Sequence, residues 1–237
     1  MPVTRLSQHE LAVTRLFDRT QRGRSPAAWL RRALRSPLGN YLVNTPMFLV
    51  PRKVKLRPKH RVLEIGCSRG ANLRFLTARI RFHRPPVGID LSRVVLREAA
   101  ARGREDGYEV AAASASRLPF ADASFDLVLA PHVARHLSGE GLIRLLVEVH
   151  RVLAPGGVLA LWEYTSTAKV WGKAPGWMLD RLGGRGQPRR FDMLAHWASE
   201  ANYDVIENPD FRPFLFPPIP RVSMLARKPP RDSRTPT

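Results

Sequence analysis

The stretch RVLEIGCSRGANLRFL, residues 61–76, decides how the rest of the chain is read. Val62, Leu63 and Ile65 form a short apolar run with Glu64 inside it, followed by the loop Gly66-Cys67-Ser68-Arg69-Gly70. Leu73, Phe75 and Leu76 then fall on one helical face. This pattern predicts a buried strand, a tight glycine loop and a helix. Such a junction aims backbone N–H groups and a helix N-terminus at a ligand above the sheet, which suits a nucleotide-like molecule. A carboxylate two residues ahead of the first glycine suits a cationic or hydroxyl-bearing ligand better than a phosphate.

Outward from this stretch the pattern repeats. Val87–Leu91 (VGIDL) reads as a second buried strand ending in Asp90, and Ser92 is placed to cap a helix running to about Gly103. Glu109–Ala113 is a third strand, Ser124–Ala130 a fourth, and Leu142–Leu153 a strongly periodic helix. Pro155-Gly156-Gly157 predicts a turn into a fifth strand, Val158–Trp162. A helix over Phe191–Ala201 and two closing strands, Asp204–Ile206 and Val222–Ala226, complete the series. Short strands alternating with helices predict an α/β fold, a doubly wound, mostly parallel seven-stranded sheet.

The flanks read differently. Residues 1–60 form a basic helical extension: a loose apolar stripe over residues 1–24, then Ser25-Pro26 opening a helix to about Leu34. That second helix sets Trp29, Leu30, Ala33 and Leu34 against Arg31, Arg32 and Arg35. It either lies on an anionic membrane or packs its Trp29 face on the main domain as a lid. Tyr41–Val50 is apolar but interrupted, and Pro51 and Pro58 bracket a basic linker. The main domain is expected over residues 61–228, with 164–190 and 207–221 covering one edge and a disordered, proline-rich tail over 229–237.

The net charge of +19 is unevenly spread. Residues 1–61 hold 14 basic and 2 acidic residues, against 13 and 10 in residues 62–160. This asymmetry points to an anionic partner such as a membrane surface, nucleic acid or acidic substrate; base-composition bias, visible in 33 Arg among 39 basic residues, is the alternative. Bias accounts for Arg over Lys, but not for Glu10 and Asp18 being the only acids before residue 62. The single cysteine, Cys67, excludes an intrachain disulfide and a multi-cysteine metal site, and a reducing, cytoplasmic setting is expected. No apolar run reaches the roughly 18–20 residues of a membrane span, and the N-terminus has no apolar signal core.

The loop excludes two nucleotide classes. A dinucleotide fingerprint needs glycine at the first, third and sixth loop positions; here these are Gly66, Ser68 and Ala71. A phosphate-cradling loop needs a terminal Gly-Lys-Ser/Thr, which is missing. What remains is Glu-x-Gly-x-x-x-Gly followed by an acid at the end of strand two. Asp90 is placed to accept both hydroxyls of a ribose, and Glu64 to hold an amino group or orient the loop.

In order and spacing these pieces resemble class I S-adenosylmethionine-dependent methyltransferases of the type 11 kind. VLEIGCSRG is similar to the first motif and GIDLS to the second. SASRLPFADASFDLVLA resembles the adenine-side loop and fourth strand, and HVARHL and EVHRVLAPGG continue the pattern into strand five. The resemblance implies that Glu64, Gly66 and Gly70, with Cys67 and Ser68 between them, line the methionine and ribose end of S-adenosylmethionine. It implies that Asp90 and Leu91 hold ribose and adenine and that Ser114 and Ala115 flank the adenine ring. It places Ala130, Pro131 and His132 beside the reactive methyl. No metal is implied. Two positions depart from the family, which usually has glycine at Ser68 and aspartate at Ser114. Cofactor binding is expected to survive both, weakened by about 1 kcal/mol for the changed hydrogen bond.

Methyl transfer from a sulfonium needs an in-line nucleophile and little else, so positioning supplies most of the rate. His132 and His136 follow strand four, where an acceptor sits; each is either a proton acceptor or a packing residue. Glu163 and Tyr164, at the same edge, and Trp171 and Trp177, in the covering segment, are candidate acceptor-pocket residues, with Met178, Phe214 and Phe216 nearby. Ala130-Pro131-His132 is not the Asn/Asp-Pro-Pro-aromatic run of enzymes methylating exocyclic base amines. The expected function is methyl transfer to a small apolar, lipid- or quinone-like acceptor met at a membrane surface. The rivals are an RNA methyltransferase using the basic N-terminus and a non-catalytic binding protein of the same fold.

Overall fold

The computed structural model of the chain describes residues 7–22, 46–164, 189–207 and 221–231. Two helices come first, α1 (Gln8–Arg22) and α2 (Pro46–Lys53). The alternating part follows as β1 (Val62–Ile65), α3 (Ala71–Thr77), β2 (Val87–Asp90), α4 (Arg93–Asp106), β3 (Glu109–Ala112) and β4 (Phe125–Pro131). A 3-10 turn at Ala134–His136 leads to α5 (Gly139–Val152), β5 (Leu153–Tyr164), α6 (Phe191–Glu200), β6 (Val205–Glu207) and β7 (Arg221–Arg227). The expected helix at Ser25–Leu34, the pocket candidates Trp171 and Trp177, and Met178, Phe214 and Phe216 lie outside the described residues.

The seven strands form one sheet in the order β3-β2-β1-β4-β5-β7-β6. β1 pairs in parallel with β2 and β4, β2 with β3, and β4 with β5, while β7 runs antiparallel to both β5 and β6. The direction of strand progression reverses at β1, so the strands' carboxyl ends part between β1 and β4, where open α/β sheets take their ligands.

Strand alternation sorts the core into two layers. Leu63, Ile65, Val128, Ala130, Leu159 and Leu161 face the layer that holds Leu142, Leu145, Leu146 and Val149 of α5 and Leu194 of α6. Val62, Leu127, Leu129, Val158, Ala160 and Trp162 face the other, with Leu76 of α3. Each fully buried Leu, Ile or Val contributes roughly 1.5–3 kcal/mol relative to exposure. Helices on both faces of the sheet make the doubly wound arrangement expected from the sequence.

Three local expectations are corrected. Pro51 does not break the chain into a linker but lies inside α2, whose Met47 and Val50 are fully buried in the second layer. Burial of these two apolar side chains outweighs the proline's preference for a helix start. Strand five is also longer than predicted. It begins at Leu153 and carries Pro155-Gly156-Gly157 within it, and its register against β4 shifts between Phe125 and Leu127. That irregularity is where a strand can absorb a proline. Helix α4 extends to Asp106 and ends at Gly107 in the left-handed region (φ 77°), beyond the expected end at about Gly103.

Candidate active site

The site is built on the loop that follows β1. Gly66 has φ 74°, and a Cβ there would stand 2.6 Å from Val133 Cγ2, so only glycine lets β1 turn beneath the segment after β4. The loop's N–H groups are largely committed internally. Gly66 and Cys67 donate to the Ile89 carbonyl at 2.7 and 3.0 Å, Ser68 donates to Asp90 Oδ2 at 2.9 Å, and Gly70 donates to the Cys67 carbonyl at 2.9 Å. The expectation of several loop amides aimed at a ligand is thus corrected: the first three tie the loop to β2, and the Gly70 amide closes the loop on itself. Arg69 turns outward and pairs with Glu98 at 2.6 Å. Nothing in this arrangement favours a phosphate.

Carboxylates take the place that cations would hold in a phosphate site. Glu64 is 1% exposed; its Oε1 accepts from Asn72 Nδ2 at 2.6 Å, and its Oε2 is buried without a hydrogen-bond partner among the described residues. Burial, reinforced by the charge of Asp90 and opposed by the Asn72 donor, pushes its carboxyl up to about 8. Asp90, at the end of β2, is raised as well: burial outweighs the N–H groups of Ser92, Ser68 and Leu91 that hold its charged form. A carboxylate has about four lone-pair sites, so the N–H groups of Ser68 and Ser92 (2.9 Å each) and of Leu91 leave room for a ribose hydroxyl. Cys67 is 4% exposed and packs beneath the loop: a Cβ added at Gly88 would lie 2.7 Å from its Sγ. Burial drives its thiol far above the ordinary range. Its side chain is therefore a spacer between loop and sheet.

Ser68 occupies a left-handed conformation, φ 50°, where the family has glycine. A serine there is tolerated at a cost of about 1 kcal/mol. Leu91 is half-buried beside Asp90, Ser114 and Ala115 are buried beyond β3, and Pro131 is buried at the tip of β4. Ala130 is fully buried with its side chain in the core, so only its backbone is available to a ligand.

The acceptor side lies past β4 and β5. His132 also has a left-handed backbone, φ 56°, held by its N–H donating to the Trp162 carbonyl at 2.9 Å. Its Nδ1 stands 3.4 Å from Glu163 Oε1. Glu163, expected on a pocket wall, is instead fully buried beneath His132, and its other oxygen accepts the Arg135 N–H at 3.0 Å. The buried Glu163 carboxylate thus fixes the orientation of the His132 imidazole at the end of β4. His136 differs: burial, helped by Arg135, His132 and His9 against the pull of Glu163, lowers it to about 4, so it is neutral near pH 7. Tyr164 closes β5, its backbone paired with Arg221.

Sequence reasoning missed the contribution of α1. Ser7 and Glu10 form a reciprocal cap, with Glu10 N–H donating to Ser7 Oγ at 3.2 Å and Ser7 N–H to Glu10 Oε2 at 2.8 Å. Glu10 Oε1 accepts from Ser114 Oγ and, at 2.9 Å, from Ser116 Oγ. One face further along, Asp18 accepts from Ser92 Oγ at 2.5 Å, and His9 Nε2 reaches the His136 carbonyl at 2.8 Å. The helix thus touches the ends of β2, β3 and β4 together. Two signals were legible: the Ser-x-x-Glu spacing, and the fact that the only two acids before residue 62 lie on this helix. Asn72, one turn into α3, was also missed; it is the partner that fixes Glu64.

Comparison with known proteins agrees with this layout. Residues 63–161 match the family described as a methyltransferase domain. A 24-methylenesterol C-methyltransferase 2 of Oryza sativa subsp. japonica is 28% identical over 166 residues, 66% of this chain and 45% of the relative. A phthiotriol/phenolphthiotriol dimycocerosates methyltransferase 1 of Mycobacterium ulcerans is 39% identical over 102 residues, 42% of this chain and 35% of the relative. The chain therefore spans less than half the length of either. Among solved structures, a Haemonchus contortus phosphoethanolamine N-methyltransferase 2 in complex with S-adenosyl-L-methionine superposes with a TM-score of 0.73 at 16% identity, over 97% of this chain and 61% of that one. The [4+2]-cyclase SpnF superposes at 0.63 with 20% identity, over 78% and 80%. At such identities the likeness shows the fold, and the cyclase illustrates that this fold alone does not name a reaction. The match over residues 63–161 identifies a methyltransferase domain there, and the motif order from Glu64 to Gly157 and the sheet order are those of the class I S-adenosylmethionine-dependent methyltransferase fold.

Proposed function

We propose that the chain transfers the methyl group of S-adenosylmethionine to a small, apolar, lipid-like acceptor. The observation that carries this reading is the set of carboxylates at the strand ends. Glu64, Asp90, Glu10 and Asp18 gather around one cleft in a protein of net charge +19. The ionised carboxylates among them disfavour a dinucleotide diphosphate, and Glu64, which ionises when an ammonium arrives, suits a nucleoside that carries positive charge. The residues present fit the cofactor. The buried Glu64 Oε2, unpartnered among the described residues, matches an ammonium, and Asp90 has acceptor capacity for a ribose hydroxyl. When bound, the cofactor supplies an electrophilic methyl carbon on a positively charged sulfur.

The chain's own residues then position and deprotonate. Gly66 lets the loop pass beneath Val133, and Asp90 and Ser68 lock the loop's shape. His132, steadied by Glu163, takes the proton of a hydroxyl acceptor, and α1 shields the cleft from water. The apolar character of the acceptor is supported by the aromatic residues of the segments that the sequence suggests cover the site, Trp171 and Trp177 among them. The names of two relatives, a methylenesterol and a dimycocerosate methyltransferase, add to it. The basic residues 1–61 are read as a contact for the anionic surface on which such an acceptor is met, with the protein peripheral to a membrane and cytoplasmic.

The test is incubation with radiolabelled-methyl cofactor and an extract separated into lipid, RNA and protein fractions. Label in the lipid fraction supports the proposal. Label in RNA establishes the rival enzyme, and no label in any fraction indicates a non-catalytic binding protein. Sedimentation with anionic vesicles at low salt tests the surface contact separately, and its absence rejects that part.

A further inference from the structure

We propose that Glu10, carried into the cleft by α1, is the residue that selects adenine in the cofactor. The inference rests on the cofactor reading above and deepens it. In the strand order β3-β2-β1-β4, a nucleoside whose ribose is held at the end of β2 by Asp90 extends its base toward the loop after β3. Ser114 and Ser116 form that loop. Neither bears a charge, but the Glu10 carboxylate joins both hydroxyls through a single oxygen, 104 and 106 residues away in sequence. The 6-amino group of adenine only donates, and a carboxylate only accepts. A 6-oxo purine presents an acceptor to the same carboxylate and is rejected.

Three observations set this apart from a helix cap alone. The bond from Ser7 takes one lone-pair site of Oε2 and the two serines take those of Oε1, so about one of the carboxylate's four acceptor sites stays open beside the β3 loop. Glu10 is 8% exposed, unusual for a capping glutamate on a surface helix. Its hydrogen bonds from Ser114, Ser7 and Ser116 overcome burial and keep it ionised, ready to accept. At the other end of the cleft, the unpartnered buried Oε2 of Glu64 points independently to a ligand bearing donors. The carboxylate missing from position 114 thus enters from a different element.

The experiment measures calorimetric affinities of the full chain for S-adenosylhomocysteine and S-inosylhomocysteine, which differ in the purine 6-substituent and in the N1 proton that accompanies the 6-oxo form. Wild type is expected to prefer the adenosyl ligand by on the order of 10- to 100-fold, the scale of one charge-assisted hydrogen bond. Glu10→Gln, whose amide can donate as well as accept, is expected to reduce that preference to a few-fold. The double variant Glu10→Gln/Ser114→Asp, with a carboxylate restored at the neighbouring position, is expected to regain it. Equal weakening toward both ligands in Glu10→Gln, or no recovery in the double variant, overturns the proposal. Wild-type binding of S-adenosylhomocysteine that Asp90→Ala abolishes leaves the cofactor reading standing in that event. Binding of neither ligand by wild type overturns both.

Discussion

Replacing Glu64 with glutamine separates what this residue does for the ligand from what it does to the fold. In the folded chain burial raises its carboxyl to about 8, against 4.5 for an ordinary glutamate. Between those values the unfolded chain has released its proton and the folded chain has not, so the folded state binds more protons and stability falls as pH rises from 4.5 to about 8. Below 4.5 both states are protonated and the penalty vanishes. At about 1.4 kcal/mol per pH unit, the interval from 4.5 to neutral pH makes the penalty roughly 3 kcal/mol. Glu64→Gln keeps the acceptor for Asn72 and removes the titration, so it is predicted to be the more stable protein at pH 7 by that order. Urea unfolding from pH 4.5 to 8.5 should show wild-type stability declining relative to the variant, the two converging at the acid end. Parallel profiles would refute the buried, raised carboxyl. The ligand side has the opposite sign. The ammonium of S-adenosylhomocysteine restores the ionised form, so wild-type binding at pH 7 releases about one proton. Its heat then depends on the ionisation enthalpy of the buffer, while Glu64→Gln shows no such dependence and binds roughly tenfold or more weaker.

Further outcomes follow from single residues. Ser68→Gly relieves a left-handed serine at φ 50° and, after the entropy cost of glycine, should leave the chain as stable as wild type or more so by up to about 0.5 kcal/mol; a lower Tm would show that the hydroxyl has a role. Gly66→Ala combines φ 74° with a Cβ 2.6 Å from Val133 Cγ2 and should cost roughly 3 kcal/mol in chemical denaturation. A loss under 1 kcal/mol would mean that the turn can shift. His132→Ala should lower kcat for a hydroxyl acceptor by roughly 10²-fold or more, with cofactor affinity unchanged, whereas His136→Gln leaves turnover within tenfold. The His136 variant should also lose part of the acid instability of wild type. A histidine lowered from 6.5 to about 4 keeps the fold stable at neutral pH and withdraws that stability as pH falls through this window.

The parts of the fold governed by local pattern were legible in the sequence. The strands β1, β2 and β4 follow from runs buried on both faces, and Ser92 caps α4 by accepting from Val95 N–H as its position suggested. What escaped was set by long-range packing. Pro51 enters α2 because Met47 and Val50 are buried against the sheet, a contact no local rule contains. In the candidate site, Glu64 and Asp90 could be named from their place around the glycine loop. The amides of Gly66, Cys67 and Ser68 could not be assigned, because their acceptors lie on β2, more than twenty residues away. Glu163 looked like a wall residue because strand alternation at a sheet edge does not tell which side chain the 3-10 turn will cover. Glu10 was hidden for the same reason: its partners at 114 and 116 lie on another element.

The account's central claim is that the cleft between β1 and β4 holds S-adenosylmethionine through Asp90. Calorimetric titration of the full chain with S-adenosylhomocysteine, wild type beside Asp90→Ala, tests it most directly. Saturable one-to-one binding by wild type, weakened at least tenfold in the variant while its circular dichroism is preserved, is the predicted result. No heat with wild type, or equal affinity in a folded Asp90→Ala, would contradict it.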